Sequence, residues 1–274
     1  MAIIPKFFID AVVSIGNRNH TEIDWIGTGF FVIRKVDKEG YARPFLITNK
    51  HVFGNKKSVV IRMKEQDKNS LKEIDVPIVS ADGVHLYKLH PIESIDIAVL
   101  PLNGSFITEN KLEFPAFDID EHAMPVSELL EGGVNEGSLV YMIGFPMGLV
   151  IKDSQSPICR LGCIARLCEE QIKANHNILL DIQNFPGNSG SPIVSRPEII
   201  SIEGTPSLNK CTLIGIVHSY IPYQEQLINS QTKRVVEIRS ENSGIANVHP
   251  VDYIREIIDE IQAKYVIEED ISSQ

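Results

Sequence analysis

Short runs of branched and aromatic residues recur along most of the chain, and Gly, Pro, Asn or Asp separates most of them. Residues 11–15, 29–33, 45–48, 58–63, 96–100, 139–143, 178–182 and 213–217 each predict a strand. Val, Ile and Phe suit a pleated, half-buried surface, and the turn residues between the runs punctuate it. Many short strands at this spacing point to barrels or sandwiches. Only two stretches read as helix. Residues 127–131 make a short one. Residues 251–264 make a stronger one, because Ile254, Ile257, Ile258 and Ile261 return every three or four positions with Asp and Glu between them. Pro250 stands just before that helix, where a missing N–H costs least. Residues 103–137 hold Pro115, Pro125 and the pair Gly132-Gly133, and read as a connection between two β-rich halves. The expected division is therefore 1–115, 116–250 and a C-terminal helix with a fraying acidic tail over 251–274.

Composition narrows the function classes. Of 274 residues, 43% are hydrophobic and 23% charged, which is an ordinary globular balance and excludes disorder throughout. The formal charge is -10, with no long run of Lys and Arg. Phosphate backbones need a clustered positive surface, so nucleic acid is not expected as a partner. The longest uncharged apolar stretch, 138–151, is interrupted by Gly144, Pro146 and Gly148. It falls short of the about 20 residues a spanning helix needs, so no membrane is expected. The first residues carry Pro5 and Asp10 and lack an apolar core followed by a small-residue cleavage site, so they do not read as a signal peptide. Cys159, Cys163, Cys168 and Cys211 are then expected to be reduced thiols in a cytoplasmic protein.

The most specific string is Phe185-Pro-Gly-Asn-Ser-Gly-Ser-Pro192. Glycines flank the pair Asn188-Ser189, so the backbone can turn sharply and a ligand can approach closely. Such a turn can aim the N–H groups of Gly187 and Ser189 at one point, as an oxyanion requires. A serine hydroxyl is a weak nucleophile that needs a base, and the base needs an orienting carboxylate. His51 follows the run 45–48, and Asp96 opens the run 96–100. A surface turn, a packed histidine and a solvated strand-edge aspartate are each plausible alone. Together, His51, Asp96 and Ser189 at strand edges point to a catalytic triad.

At these residues the sequence resembles the trypsin-like serine proteases, above all their Deg/HtrA branch. The strings that carry the resemblance are Gly27-Thr28-Gly29, Thr48-Asn49-Lys50-His51-Val52, Asp96-Ile97-Ala98-Val99 and Gly187-Asn188-Ser189-Gly190. Gly144-Phe145-Pro146-Met147-Gly148 and Ser243–Pro250 follow the same order more weakly, and the resemblance runs over about 11–261. It implies an all-β fold of two antiparallel six-stranded β-barrels with a C-terminal α-helix. The active site would lie between the barrels, His51 and Asp96 coming from the first and Ser189 from the second. It also implies a serine endopeptidase that hydrolyses peptide bonds through an acyl-enzyme, with a polypeptide substrate and neither metal nor cofactor.

The same resemblance implies a primary pocket formed by the segment before the nucleophile and the strand from Gly215 to Tyr220. Its candidate lining residues are Gln183, Asn184, Val217 and Tyr220. Trypsin has an acid where this chain has Gln183, so no pull on Lys or Arg is expected, and a small or medium uncharged side chain is. Glutamate-specific relatives have a histidine directly after Gly-Ile, whereas here Val217 intervenes and His218 comes one position later. A one-residue shift in a strand reverses the face, which places His218 near Asp96 rather than in the pocket. Trypsin's activation pairs a freed amine with an aspartate just before the nucleophile, and the uncharged Asn188 excludes that pairing. Only 24 residues follow Pro250, and no PDZ domain is expected after it.

Residues 221–241 form a long polar insertion, which either overhangs the cleft or is disordered surface. With residues 145–157 it is a candidate switch loop. The spacing of Cys159, Cys163 and Cys168 is unlike a zinc site, and buried thiols are expected there. His85, His90, His122 and His249 show no partner pattern and are expected on the surface or in packing. The alternative function is a catalytically silent or partner-activated protease-fold module that binds peptide by strand addition. The sequence leaves oligomeric state, natural substrate and any regulatory partner open.

Overall fold

The computed structural model describes residues 3–36, 41–66, 70–198 and 207–272. The N-terminal half is built from β1 (Val12–Asn19), β2 (Glu22–Lys35), β3 (Ala42–Thr48), β4 (Ser58–Lys64), β5 (Leu71–Pro77), β6 (Lys88–Leu89), β7 (Ala98–Pro101) and β8 (Phe117–Asp118). They form one eight-stranded sheet in the order β5-β4-β1-β2-β3-β7-β6, with β8 alongside β2. The β2–β8 pair is parallel and the others are antiparallel. The second half comprises β9 (Leu139–Gly144), β10 (Ile158–Arg166), β11 (Ile178–Asp181), β12 (Pro192–Ser195), β13 (Leu213–Ile228) and β14 (Val235–Pro250). These close into a barrel in the order β10-β11-β14-β13-β12-β9. Of the two closed barrels implied by the sequence, this is the one present. The N-terminal strands are an open path among the described residues, because β5 and β6 end it without pairing to each other.

Helices are short except the last. They are α1 (Lys6–Asp10), α2 (Lys50–Phe53), α3 (Gly104–Glu109), α4 (Val126–Glu131), α5 (Glu169–Asn175) and α6 (Val251–Ser272). The expected helices at 127–131 and 251–264 appear as α4 and α6, and the others carry too few periodic positions to be read from sequence. Ile254, Ile257 and Ile258 of α6 are fully buried. They join a core that includes Phe30, Phe45 and Phe117 of the first sheet and Ile143, Leu213 and Ile216 of the barrel. Each such isoleucine contributes about 2 kcal/mol by leaving water, so the repeat seen in sequence is what fastens both halves to the helix. No helix among the described residues is long and apolar enough to cross a membrane.

The insertion 221–241 is ordered as strand. β13 and β14 continue past the barrel as a two-stranded ribbon, paired from Pro222↔Asn242 to Ile228↔Val235. Residues 221–241 are all exposed, which is why the insertion has no apolar periodicity to read.

Candidate active site

Strand pairing brings the first two candidate residues together. β3 and β7 are antiparallel neighbours with Thr48 opposite Ala98. The chain leaving β3 at Asn49 and the chain entering β7 at Asp96 therefore meet. Asn49 Nδ2 donates to the Asp96 carbonyl at 2.7 Å. The short helix α2 carries His51, whose backbone N–H donates to Asp96 Oδ1 at 3.1 Å. The His51 ring bonds Asp96 Oδ2 through Nδ1. A carboxylate only accepts, so Nδ1 bears the proton and Nε2 is left with a lone pair. The His51 side chain is 50% exposed and that of Asp96 19%, so the ring faces solvent and the carboxylate does not. Burial pushes the Asp96 carboxyl up, but the hydrogen bonds and charge of His51 outweigh it and hold the group below its usual range.

Ser189 sits in a turn locked from both halves. Gly187 and Gly190 have φ of +93° and +88°, which only glycine adopts without strain. Asn188 N–H donates to the Phe185 carbonyl at 3.0 Å, and Ser191 N–H to that of Asn188 at 2.8 Å. Met147 N–H engages the Pro186 carbonyl. No peptide bond described is cis, so the Gly187 N–H points to the opposite side of that peptide plane, away from Met147. Neither the Gly187 N–H nor the Ser189 N–H has an acceptor among the described residues. On β2, Thr28 N–H donates to the Ser189 carbonyl at 2.9 Å. Thr28 Oγ1 donates to the Gly187 carbonyl at 2.7 Å and accepts from Phe145 N–H at 3.0 Å.

Gly27 separates the two parts of the site. A Cβ there would lie 2.7 Å from Val52 Cγ1 and 3.4 Å from the Ser189 carbonyl. Ser189 thus lies one glycine's width from the helix that bears His51. The Ser189 hydroxyl itself has no hydrogen-bond partner among the described residues, His51 included. The structure therefore joins His51 to Asp96 by hydrogen bonds and sets the Ser189 backbone near Val52, the residue after His51, without closing the last link.

The candidate pocket residues divide. Asn184 is buried, with its Nδ2 donating to the Ser219 carbonyl at 3.1 Å. Gln183 is exposed beside Gly244, and Tyr220 is exposed at 38% where β13 leaves the barrel. Val217 does not line a pocket, because its side chain lies in the barrel core. Its backbone instead brackets the turn. Gly190 N–H donates to the Val217 carbonyl at 3.1 Å, and Val217 N–H to that of Ser191 at 3.0 Å.

Of the histidines behind Asp96, His249 departs most from the sequence reading. His218 stacks on His249 with ring centroids 4.0 Å apart and planes 5° apart. Its Nε2 donates to Asn177 Oδ1 at 2.8 Å. Burial drives the His218 imidazole down to about 3, with the neighbouring His249 adding to the effect. His249, expected to be a bystander, accepts the backbone N–H of Asp96 on Nε2 at 3.0 Å. No sequence signal marks it, since the partner is 153 residues away. His90 bonds Glu256, and His122 accepts the Asp118 N–H at 2.8 Å. The buried thiols expected at Cys159, Cys163 and Cys168 are not found, for Cys159 is exposed and Cys163 and Cys168 are half-buried, while Cys211, outside that expectation, is buried. Cys159 and Cys163 lie on β10, whose Cys159 side is turned to solvent. Among the described residues no group of His, Cys, Asp and Glu could hold a metal ion.

Comparison with known proteins bears on the same residues. The trypsin-like peptidase domain model matches residues 27–198. An HtrA-type protease, AlgW, solved with a tripeptide, is 19% identical over 93% of this chain and 60% of its own, with a TM-score of 0.50. The MamO protease domain from Magnetospirillum magneticum is 13% identical over 91% and 96%, with a TM-score of 0.47. The Rv3671c protease in an inactive form is 15% identical over 93% and 90%, with a TM-score of 0.46. At such identities the AlgW match speaks to fold alone, and this chain spans 60% of the AlgW chain. No curated protein matches the sequence. The stretch covered by the domain model runs through His51, Asp96 and Ser189, and the chain belongs to the trypsin-like peptidase domain family.

Proposed function

We propose that this chain is a serine endopeptidase in which Ser189 is the nucleophile, His51 the general base and Asp96 its orienting acid. The observation that carries the reading is the His51–Asp96 hydrogen-bonded pair, with Val52, the residue after His51, and the Ser189 carbonyl meeting across Gly27. Ser189 Oγ attacks the peptide carbonyl carbon, and its proton passes to His51 Nε2. The oxyanion so formed is met by the N–H groups of Gly187 and Ser189, which are unengaged within the chain. Collapse breaks the C–N bond, and His51 returns the proton to the departing amine. Water then repeats the sequence on the acyl-enzyme and regenerates Ser189. In this reading the N-terminal sheet takes the part of the family's first barrel within 1–115, and 116–250 supplies the nucleophile. Gln183, Asn184 and Tyr220 surround a pocket for a small or medium uncharged side chain. Four free cysteines accord with a cytoplasmic location.

A fluorophosphonate probe tests the nucleophile. The wild-type chain is expected to label at Ser189. Ser189→Ala is expected to stay folded, fail to label and lose turnover by about 10⁶-fold. Labelling elsewhere, or undiminished in the alanine variant, overturns the assignment.

The unbonded Ser189 hydroxyl favours one second reading, a protease that a partner or ligand completes. Apo sites commonly hold such bonds long and tighten them with substrate, so the two readings part on rate. Purified protein that cleaves an unfolded polypeptide at full speed without additions excludes the second.

A further inference from the structure

Asp96 is held from behind as well as from the front. Its side chain faces His51, while its backbone N–H donates to His249 Nε2 at 3.0 Å. His249 is the next-to-last residue of β14, so this contact runs from the barrel to the N-terminal half. The imidazole is fixed for the purpose. Its Nδ1 lies 2.8 Å from the His176 carbonyl, which only accepts, so Nδ1 carries the proton and Nε2 a lone pair. His176 is at the end of α5 in the left-handed region, with φ of +58°, and its own Nδ1 meets the Tyr253 hydroxyl at 3.0 Å. The ring of His218 covers one face of His249, and that of Tyr253 stands edge-on at 6.2 Å.

We propose that His249 is a positioning residue whose neutral imidazole, protonated on Nδ1, sets the backbone of Asp96 and through it the tilt of the His51 ring. The inference rests on the triad reading above. A protonated His249 would oppose its own N–H to that of Asp96, so the contact exists only with the ring neutral. The groups facing the ring favour that form. His249 is 1% exposed. Burial pushes its pKa down to about 4, and the charges of His176 and His90 act the same way, against Asp96 and the His176 carbonyl. The nearby His218 is itself held neutral. The acceptor is thereby kept across the neutral range, independently of whether His51 gains or loses its proton.

Two polar variants separate position from packing. In His249→Gln the amide oxygen falls near the place of Nε2 and can accept the Asp96 N–H. In His249→Asn it falls short. With the full chain, the fluorophosphonate labelling rate is expected to drop about 100-fold in the asparagine variant, the order of loss that an ångström of misplacement causes. The glutamine variant is expected to recover most of it. The low-field proton resonance of the His51–Asp96 hydrogen bond is expected to vanish in the first and persist in the second. Equal labelling in wild type and His249→Asn, or a glutamine variant no better than asparagine, overturns the proposal. If the wild type never labels, the nucleophile reading falls instead, and the resonance decides. Its loss confined to His249→Asn upholds the positioning role, and its survival there overturns it. If the asparagine variant does not fold, the ¹⁵N–¹⁵N coupling across the Asp96 N–H and His249 Nε2 decides in the unaltered protein, its presence in favour and its absence against.

Discussion

Acid reads the residue scale directly. His218 and His249 titrate near 3 and 4 in the folded chain, against about 6.5 for a free histidine. Below pH 6.5 the unfolded chain binds protons that the native chain refuses, so stability is full above that value and is lost as pH falls toward 4. For His249 alone the loss is about 3 kcal/mol. Urea unfolding between pH 8 and 4 is expected to show the slope, and His249→Gln to flatten part of it. Gly190 gives a sharper case. Its φ is +88°, and a Cβ there would lie 2.0 Å from the Thr28 carbonyl. Gly190→Ala is expected to destabilise the chain by about 3 kcal/mol or more, measured by urea unfolding, because strain and a backbone clash coincide. The glycine turn was legible in sequence because its signal is local: Gly187, Gly190 and the candidate nucleophile Ser189 lie within four positions. His249 was not. Its role depends on a tautomer set by a carbonyl 73 residues away.

At the scale of elements, legibility followed burial. The expected strands at 45–48, 58–63 and 139–143 are β3, β4 and β9, all with a buried run of Val, Ile or Leu. β5 went unread because its charged residues leave only Ile74 fully inside. No apolar run marks β10, where Cys159, Arg160 and Leu161 follow one another, and only the family resemblance led to a strand there. The ribbon went furthest astray, since strand pairing there is not accompanied by a buried face. An isolated two-stranded ribbon is marginal in water, and this one packs none of its side chains inside. Replacing residues 224–239 by a tight turn is therefore expected to shift unfolding by less than about 1 kcal/mol. Limited proteolysis of the wild type is expected to nick first at the tip, between Asn229 and Arg234, and a first cut elsewhere would show the ribbon shielded.

For the whole molecule, the sequence pointed to two β-rich halves but not to the open edges of the N-terminal sheet among the described residues. β5 and β6 each pair with a chain neighbour, β4 and β7, and no local pattern says whether the two free edges meet. Beside the shared apolar core, a few polar atoms join the halves. Thr28 alone takes Gly187 and Phe145 across the join. Thr28→Val keeps the shape but strands one buried carbonyl and one buried N–H, and is expected to cost about 3 kcal/mol in urea unfolding together with a fall in probe labelling. Unchanged stability would mean that water replaces the lost bonds. The root of the ribbon touches the same region. Asn242 Nδ2 donates to the Asn184 carbonyl, and Asn184 Nδ2 reaches Ser219. Asn184 is five residues upstream of Ser189. The paired arms run from Pro222 to Ile228, an outrigger of about 20 Å at the rise of extended chain. Such an arm has mechanical advantage: a modest tug at its far end acts as a torque on Asn184, and so on the segment that aims the serine.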